Sequence, residues 1–205
     1  MIEFENTEVS GWNAAIRGMR NPMNSWDKSD SIIDSTGLYE IGENDLKLMK
    51  NLVKAGTDHS KFMRMINVTV DITAPRYWWT EFDTYKVGTV RNSCSTMHKI
   101  HAKEFTLDDF SHEHMGVIAY NRLEIIVKDL NLYRKLYRDT GDKTAWWSMI
   151  QLLPQSYNQR ATVQLNYQVL RSIYHSDRKH HKLDEWREGF MQWIESLPYS
   201  ELITE

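Results

Sequence analysis

Aromatic, cationic and hydroxyl side chains are concentrated between residues 76 and 93 of this sequence. A tryptophan or tyrosine ring can stack on a planar base, a contact worth about 1–3 kcal/mol in nucleic-acid complexes. Arginine or lysine beside a hydroxyl can bind a phosphate through charge-assisted hydrogen bonds. The residues of these types are Arg76, Tyr77, Trp78, Trp79, Lys86, Thr89, Arg91, Asn92 and Ser93. The alternative is that the tryptophans belong to the core, because two adjacent rings on one helix cannot face the same pocket.

A second cationic run, RKHHK, covers residues 178–182 and follows His175. It could bind phosphates of a ligand held by a neighbouring subunit, or it could be a solvated loop. The pairs His98/His101 and His112/His114 lie near acidic residues but complete no known metal-binding pattern, so we predict no metal site. The one cysteine, Cys94, has no assigned base, and we expect it to be buried and structural.

The composition is that of an ordinary globular protein and excludes several classes. The chain has 205 residues, 41% hydrophobic and 26% charged, with a net charge of −3. A single cysteine excludes an intrachain disulfide and a cysteine-based zinc site. Without a basic excess or a 20-residue apolar run, we expect neither a nucleic-acid partner nor a membrane span. The first residues lack the features of a signal peptide, so we expect a cytoplasmic protein with one domain over residues 1–205.

Hydrophobic periodicity predicts helices interleaved with a few strands. The opening residues, INVTVDITA (66–74) and RATVQLNYQ (160–168) alternate between apolar and polar residues, which is typical of strands. Helices are predicted over 12–19, 43–55, 76–85, 144–153 and 183–196. A long helix is predicted over 117–137. Its expected inward residues are Ile118, Leu123, Ile126, Leu130, Leu132 and Leu136. This order of elements indicates an α/β or α+β fold.

Two blocks of the sequence resemble the flavin-dependent thymidylate synthase (ThyX) family. The first is LMKNLVKAGTDHSKFMRMINVTVDI with the aromatic helix and TVRNSCST, and the second is QLLPQSYNQRATVQLNYQVLRSIYHSDRKHHKLDEWREGF. The family signature RHRxxSxNExSxR falls on residues 79–91 and closes on Arg91. The resemblance implies a central, mostly antiparallel sheet wrapped by helices, with a helical extension, and a homotetramer.

The resemblance, together with the residue types between residues 76 and 93, indicates which residues contact ligands. The expected nucleotide-binding residues are Arg91, Thr89, Arg178, Lys86, Tyr77 and Trp79. The expected cofactor-binding residues are His59, Asn166 and Gln168, with FAD as the candidate cofactor. No GxGxxG or P-loop is present, so a flavin or nucleotide would be bound in a manner unlike the Rossmann fold.

Departures from the family pattern argue against unaltered chemistry. The signature Arg-His-Arg is replaced by Trp79, Thr80 and Glu81, and the arginine before the Leu-Pro by Ile150. A glutamate in place of an arginine repels a phosphate instead of attracting it. We therefore expect a diverged ThyX-fold oligomer that binds a nucleotide in the inherited inter-subunit cleft and has lost or altered standard dUMP methylation. The alternatives are an active synthase that uses FAD, NADPH and methylenetetrahydrofolate, and a non-catalytic protein, of the kind that phages encode, that sequesters a nucleotide.

Overall fold

The strands form where apolar and polar residues alternate. The structure, a computed structural model, describes residues 2–33 and 39–205. The strands are Glu3–Ser10 (β1), Ile32–Ile33 (β2), Tyr39–Glu40 (β3), Asn67–Pro75 (β4), Val90–Ser93 (β5) and Asn158–Asn166 (β6). Four of them form a sheet with the order β1-β4-β6-β5, and β2 pairs with β3 in an antiparallel ribbon.

The two central strands, β4 and β6, are antiparallel. At one end the Arg76 amide donates to the Tyr157 carbonyl at 3.0 Å, and at the other the Tyr167 amide donates to the Ile66 carbonyl at 3.1 Å. Alternate residues of each strand are buried, as the alternation predicts: Ile66, Val68, Val70 and Ile72, and Ala161, Val163 and Leu165. The strand predictions in these two segments are confirmed.

The predicted helices are present with small changes at their ends. The helices of the described chain are Trp12–Arg20 (α1), Glu43–Lys54 (α2), Arg76–Phe82 (α3), Thr96–Lys99 (α4), Val117–Thr140 (α5), Lys143–Leu152 (α6), Tyr167–Tyr174 (α7), Met191–Glu195 (α8) and Glu201–Thr204 (α9), of which α4 and α9 were not predicted. Helix α3 ends at Phe82, three residues before the predicted end. The predicted helix over 183–196 instead begins with a π-helical segment, Glu185–Phe190, that continues into α8. Its apolar residues Trp186, Phe190 and Trp193 are buried.

The described residues divide into two compact units, each made of three stretches of chain. The first unit contains residues 2–3, Ile72–Thr84 and Asn92–Thr162. Much of its core is formed by α5, α6 and the loop before them, through Ile100, Phe105, Phe110, Leu123, Val127, Leu130, Met149 and Leu153. That the chain is one domain remains a prediction.

The second unit contains Phe4–Asp71, Tyr85–Arg91 and Val163–Glu205. Aromatic rings dominate part of its core. Trp12 packs edge-on against Tyr167 at 5.2 Å between ring centroids, and Phe4 stacks on Trp193 at 5.0 Å. The Tyr167 hydroxyl donates to the Pro198 carbonyl, and burial raises the pKa of Tyr167 well above its ordinary value. Several of the aromatic side chains of this unit therefore form its core.

The inward face of α5 differs from the predicted one. Leu123 and Leu130 are buried as predicted, and Ile126 is half-buried, but Ile118 is 81% exposed and Leu132 63% exposed. Leu136 is also exposed, and Val127 is buried instead. A helix turns by about 100° per residue, which separates these residues into two opposite faces. Three of the six predicted inward positions are therefore wrong.

No helix of the described chain is long and apolar enough to span a membrane.

A buried ion pair fixes the loop between α1 and β2. Arg20 is 4% exposed and its Nε donates to Asp45 Oδ1 at 2.7 Å. The hydroxyls of Ser29 and Ser31 donate to the other Asp45 oxygen at 2.7 and 2.6 Å. Burial alone would raise the pKa of Asp45, but the hydrogen bonds from Ser31, Ser29 and Arg20, with the Arg20 charge, hold the pKa below its ordinary value.

We expect Asp45→Asn to lower the free energy of unfolding by about 3–5 kcal/mol at pH 7, because it leaves the Arg20 charge buried and unpaired. The folded-state pKa of Asp45 lies below its unfolded value of about 3.9. The carboxylate therefore stabilises the fold above that pH, and its contribution is lost as the pH falls through the folded-state pKa. Urea denaturation at pH 7 and at about pH 3 measures the difference.

Asp27→Asn, at an exposed position of the same loop, is the matched control and should change the stability by less than about 0.5 kcal/mol. Equal stabilities of Asp45→Asn and Asp27→Asn at pH 7 would contradict the role of the ion pair.

Candidate functional site

The segment Tyr85–Arg91 of the second unit contains three of the residues predicted to bind a nucleotide. It passes directly over the start of α7 at Gly88, whose φ is +75°. A Cβ at Gly88 would lie 3.0 Å from Val169 Cγ2 and 3.2 Å from Asn166 Nδ2. Both the backbone conformation and the close approach therefore favour glycine at this position.

Arg178 fastens this segment to the C-terminal part of the unit. Its Nε donates to the Tyr85 hydroxyl at 2.7 Å. Its guanidinium carbon lies 4.6 Å from the centroid of the buried Trp186 ring and 5.4 Å from that of Tyr85. These are cation–π distances. Arg178 is half-buried, so for this residue the structure contradicts the solvated-loop interpretation.

The polar side chains of the segment differ in burial. Lys86 is exposed and Arg91 is half-buried. The Thr89 hydroxyl is buried and forms no hydrogen bond with any residue that the structure describes. A buried hydroxyl without a partner costs free energy, so such a group is an available donor for a ligand. The segment Tyr85–Arg91 thus contains Lys86, Thr89 and Arg91, and Arg178 is bound to it through Tyr85.

The three residues predicted to contact a cofactor also belong to the second unit. Asn166 caps α7, since its Oδ1 accepts from the Val169 amide at 3.1 Å. Gln168 Oε1 accepts from the Ser60 hydroxyl at 3.1 Å. His59, which directly precedes Ser60, is exposed. The turn at His59 and the start of α7 are therefore neighbours, and Asn166 also touches the segment at Gly88.

The two aromatic residues predicted to stack on a ligand belong to the first unit. Trp79 is 2% exposed and its indole N–H donates to the Gln159 carbonyl at 2.9 Å. It packs edge-on against Trp78 and Phe82. Because the Trp79 side chain is buried, the structure does not support a stacking role for it, and the core interpretation applies. Tyr77 is half-buried, and its contact with a ligand remains a prediction.

The first unit contains a cavity that sequence reasoning missed. Its volume is about 340 Å³, within the range of ligand pockets. Its lining includes Cys94, Lys99, Lys103, Asp109, Tyr157 and Arg160. These residues come from separate stretches of chain that only the fold brings together. Cys94 is exposed, so the expectation of a buried cysteine is wrong.

Opposite charges lie side by side in this cavity. The Lys103 ammonium donates to Asp109 Oδ1, and this hydrogen bond raises the pKa of Lys103. Burial, followed by the Asp109 charge, raises the pKa of Tyr157. An anionic ligand would therefore contact Lys99 more readily than the paired Lys103.

No group of three or more His, Cys, Asp or Glu side chains in residues 2–33 and 39–205 is arranged to hold a metal ion. His112 Nδ1 lies 2.8 Å from the Phe110 carbonyl, and His98 is in the short helix α4.

We expect Arg178→Ala to expose the segment Tyr85–Arg91 to proteases. The variant loses a hydrogen bond and a cation–π contact, together roughly 1–2 kcal/mol, which corresponds to about 5- to 30-fold more frequent local opening. Trypsin should cut faster after Lys86 and Arg91, as followed by mass spectrometry of the fragments. Lys182→Ala removes an exposed cation from the same run and is the control. Equal cleavage rates in the two variants would contradict the fastening role of Arg178.

Two solved structures of the flavin-dependent thymidylate synthase ThyX from Helicobacter pylori, both with FAD and dUMP, resemble this chain. The first has a TM-score of 0.70 at 16% sequence identity, and the match covers 98% of this chain and 97% of the H. pylori chain. The other has a TM-score of 0.69 at 14% identity, with 100% and 97% coverage. No protein-family model matches the chain, and no curated protein sequence matches it.

At these identities the likeness is one of fold. The mixture of helices and antiparallel sheet that was expected from the sequence is confirmed, and the similarity extends over the whole chain. The chain therefore has a ThyX-like fold.

Proposed function

We propose that this chain is a diverged ThyX-fold protein that binds a nucleotide through the segment Tyr85–Arg91. The main support for the proposal is the buried Thr89 hydroxyl, which lies between Lys86 and Arg91 in the sequence. This hydroxyl has no hydrogen-bond partner among the described residues. A hydroxyl donor flanked by two cations matches the needs of a phosphate group. The ThyX-like fold supports a nucleotide, because both solved structures hold FAD and dUMP.

Residues near the start of α7 fit a second, larger ligand. Asn166 and Gln168 each use the side-chain oxygen for an internal hydrogen bond, and the amide N–H groups of these side chains remain suitable donors. Exposed His59 lies on the turn beside them. We propose these three residues as contacts of FAD. When bound, a flavin supplies hydride transfer and one-electron chemistry.

The positions that the family signature assigns to Arg-His-Arg lie in α3. There Trp79 is a core residue and Glu81 contributes a carboxylate. A carboxylate cannot clamp a phosphate, so we propose that standard dUMP methylation is lost or altered. Either a redirected enzyme or a protein that only holds its nucleotide is consistent with this arrangement. Rescue of a thymidine-requiring strain by the gene would instead favour an active synthase.

The proposed cleft lies between subunits, so the protein should be an oligomer, and we propose a homotetramer. The exposed apolar residues of α5 support self-association, because a contiguous apolar patch on a soluble protein often marks an interface.

Calorimetric titration with dUMP, with and without excess FAD, tests the nucleotide site. Arg91→Ala should weaken binding by about 1.5–3 kcal/mol if the guanidinium makes a charge-assisted contact, which is roughly 10- to 150-fold in Kd. Lys54→Ala, an exposed cation at the end of α2, is the matched control and should bind like the unmodified protein.

Lys99→Ala distinguishes the segment from the cavity of the first unit. An unchanged affinity for Lys99→Ala together with a loss for Arg91→Ala supports the proposal. The reverse pattern, in folded protein, would place the nucleotide in the cavity and overturn the assignment.

A further inference from the structure

Helix α5 has two apolar faces, and only one of them has a partner in the described chain. Leu123, Val127 and Leu130 are buried in the core of the first unit. On the opposite side lies a stripe of exposed apolar residues. Its members are Ile118 (81% exposed), Ile125 (46%), Leu132 (63%) and Leu136 (42%). A soluble helix usually exposes polar residues on the face away from its core, so this second face needs an explanation.

The spacing of the stripe is regular. Ile118, Ile125 and Leu132 are seven residues apart, and a straight α-helix drifts by only about 20° per heptad. The three side chains therefore project along one line on the helix surface. Repeats of this kind are typical of a seam between two helices.

Three members of the stripe are symmetric about Ile125, with Ile118 seven positions before it and Leu132 seven positions after it. A two-fold axis through Ile125 would pair Ile118 of one copy with Leu132 of the other, and the reverse. Self-complementary patches of this kind form the isologous interfaces of two-fold dimers.

The flanking charges agree with an antiparallel pair. Arg122 and Asp129 are both exposed and lie along the same edge of the stripe. In an antiparallel arrangement centred on Ile125, Arg122 of each copy lies opposite Asp129 of the other. The helix dipoles also oppose one another in this arrangement, whereas a parallel pair would align them.

The length of α5 is sufficient for the core of an interface. Its 24 residues span about 36 Å. Two such helices packed face to face bury an area on the order of several hundred Å² per copy, and a standard interface needs about 800 Å² per partner. Neighbouring surface of the first unit would supply the remainder.

We propose that α5 is the face through which two copies of this chain associate, antiparallel about Ile125. The proposal gives the oligomer of the proposed function its interface, but it rests on α5 alone and on no property of the nucleotide site.

Cysteine cross-linking of the full-length chain tests both the contact and its direction. Cys94 is exposed and is replaced by serine first, so that each variant has one thiol. Under mild oxidation I125C should form a disulfide-linked dimer, because two Cα atoms at the axis come within disulfide range. I118C or L132C alone should cross-link poorly, and an equal mixture of the two should give a mixed dimer.

K54C, at an exposed position of α2 in the second unit, measures random collision. Cross-linking of I125C at the K54C level would overturn the proposed contact. Efficient self-cross-linking of I118C would overturn the antiparallel direction.

A double substitution tests the same surface without oxidation. Ile125→Asp with Leu132→Asp should halve the mass measured by light scattering and leave the circular dichroism spectrum unchanged, because both positions are exposed. An unchanged mass in folded protein would contradict the proposal. Both assays are performed without nucleotide. A negative result in them would therefore contradict the α5 interface and would leave the proposed nucleotide site unaffected.

Discussion

The antiparallel pairing of β4 with β6 is the constraint on which the rest of the structure depends. Backbone hydrogen bonds close the ladder at both ends, between Arg76 and Tyr157 and between Tyr167 and Ile66. Each strand passes directly into a helix, β4 into α3 and β6 into α7. A slip of one residue would turn every buried side chain of a strand to the opposite face, so burial holds the register firmly. The register therefore fixes where α7 begins.

The candidate site follows from that start of α7. Asn166, the last residue of β6, caps the helix, and Gly88 brings the segment Tyr85–Arg91 against it. Arg178 then holds the segment through Tyr85, with its guanidinium over the buried Trp186 ring. The sheet, the helix cap and the cation–π contact together determine where the segment with the Thr89 hydroxyl lies. The function proposed for the protein depends on each of these links.

Elements set by local pattern could be predicted from the sequence, whereas contacts between distant residues could not. Alternation identified β4 and β6 because one face of each strand is buried. Helix α5 was located correctly, but it has two apolar faces and the sequence does not indicate which one meets the core. Trp79 was grouped with ligand-binding residues by its type, although its neighbours in space enclose it. The cavity around Cys94 needs residues from several stretches of chain, and no motif marks that juxtaposition.

The fold similarity and the polar groups of the segment Tyr85–Arg91 lead to one central claim, that this chain binds a nucleotide. The most direct test is a visible absorption spectrum of freshly purified protein, followed by mass spectrometry of whatever heat denaturation releases. We expect a nucleotide to be released, and a flavin band would show that FAD is among the bound molecules. A colourless protein that releases no nucleotide, and that binds neither dUMP nor FAD when they are added, would contradict the claim.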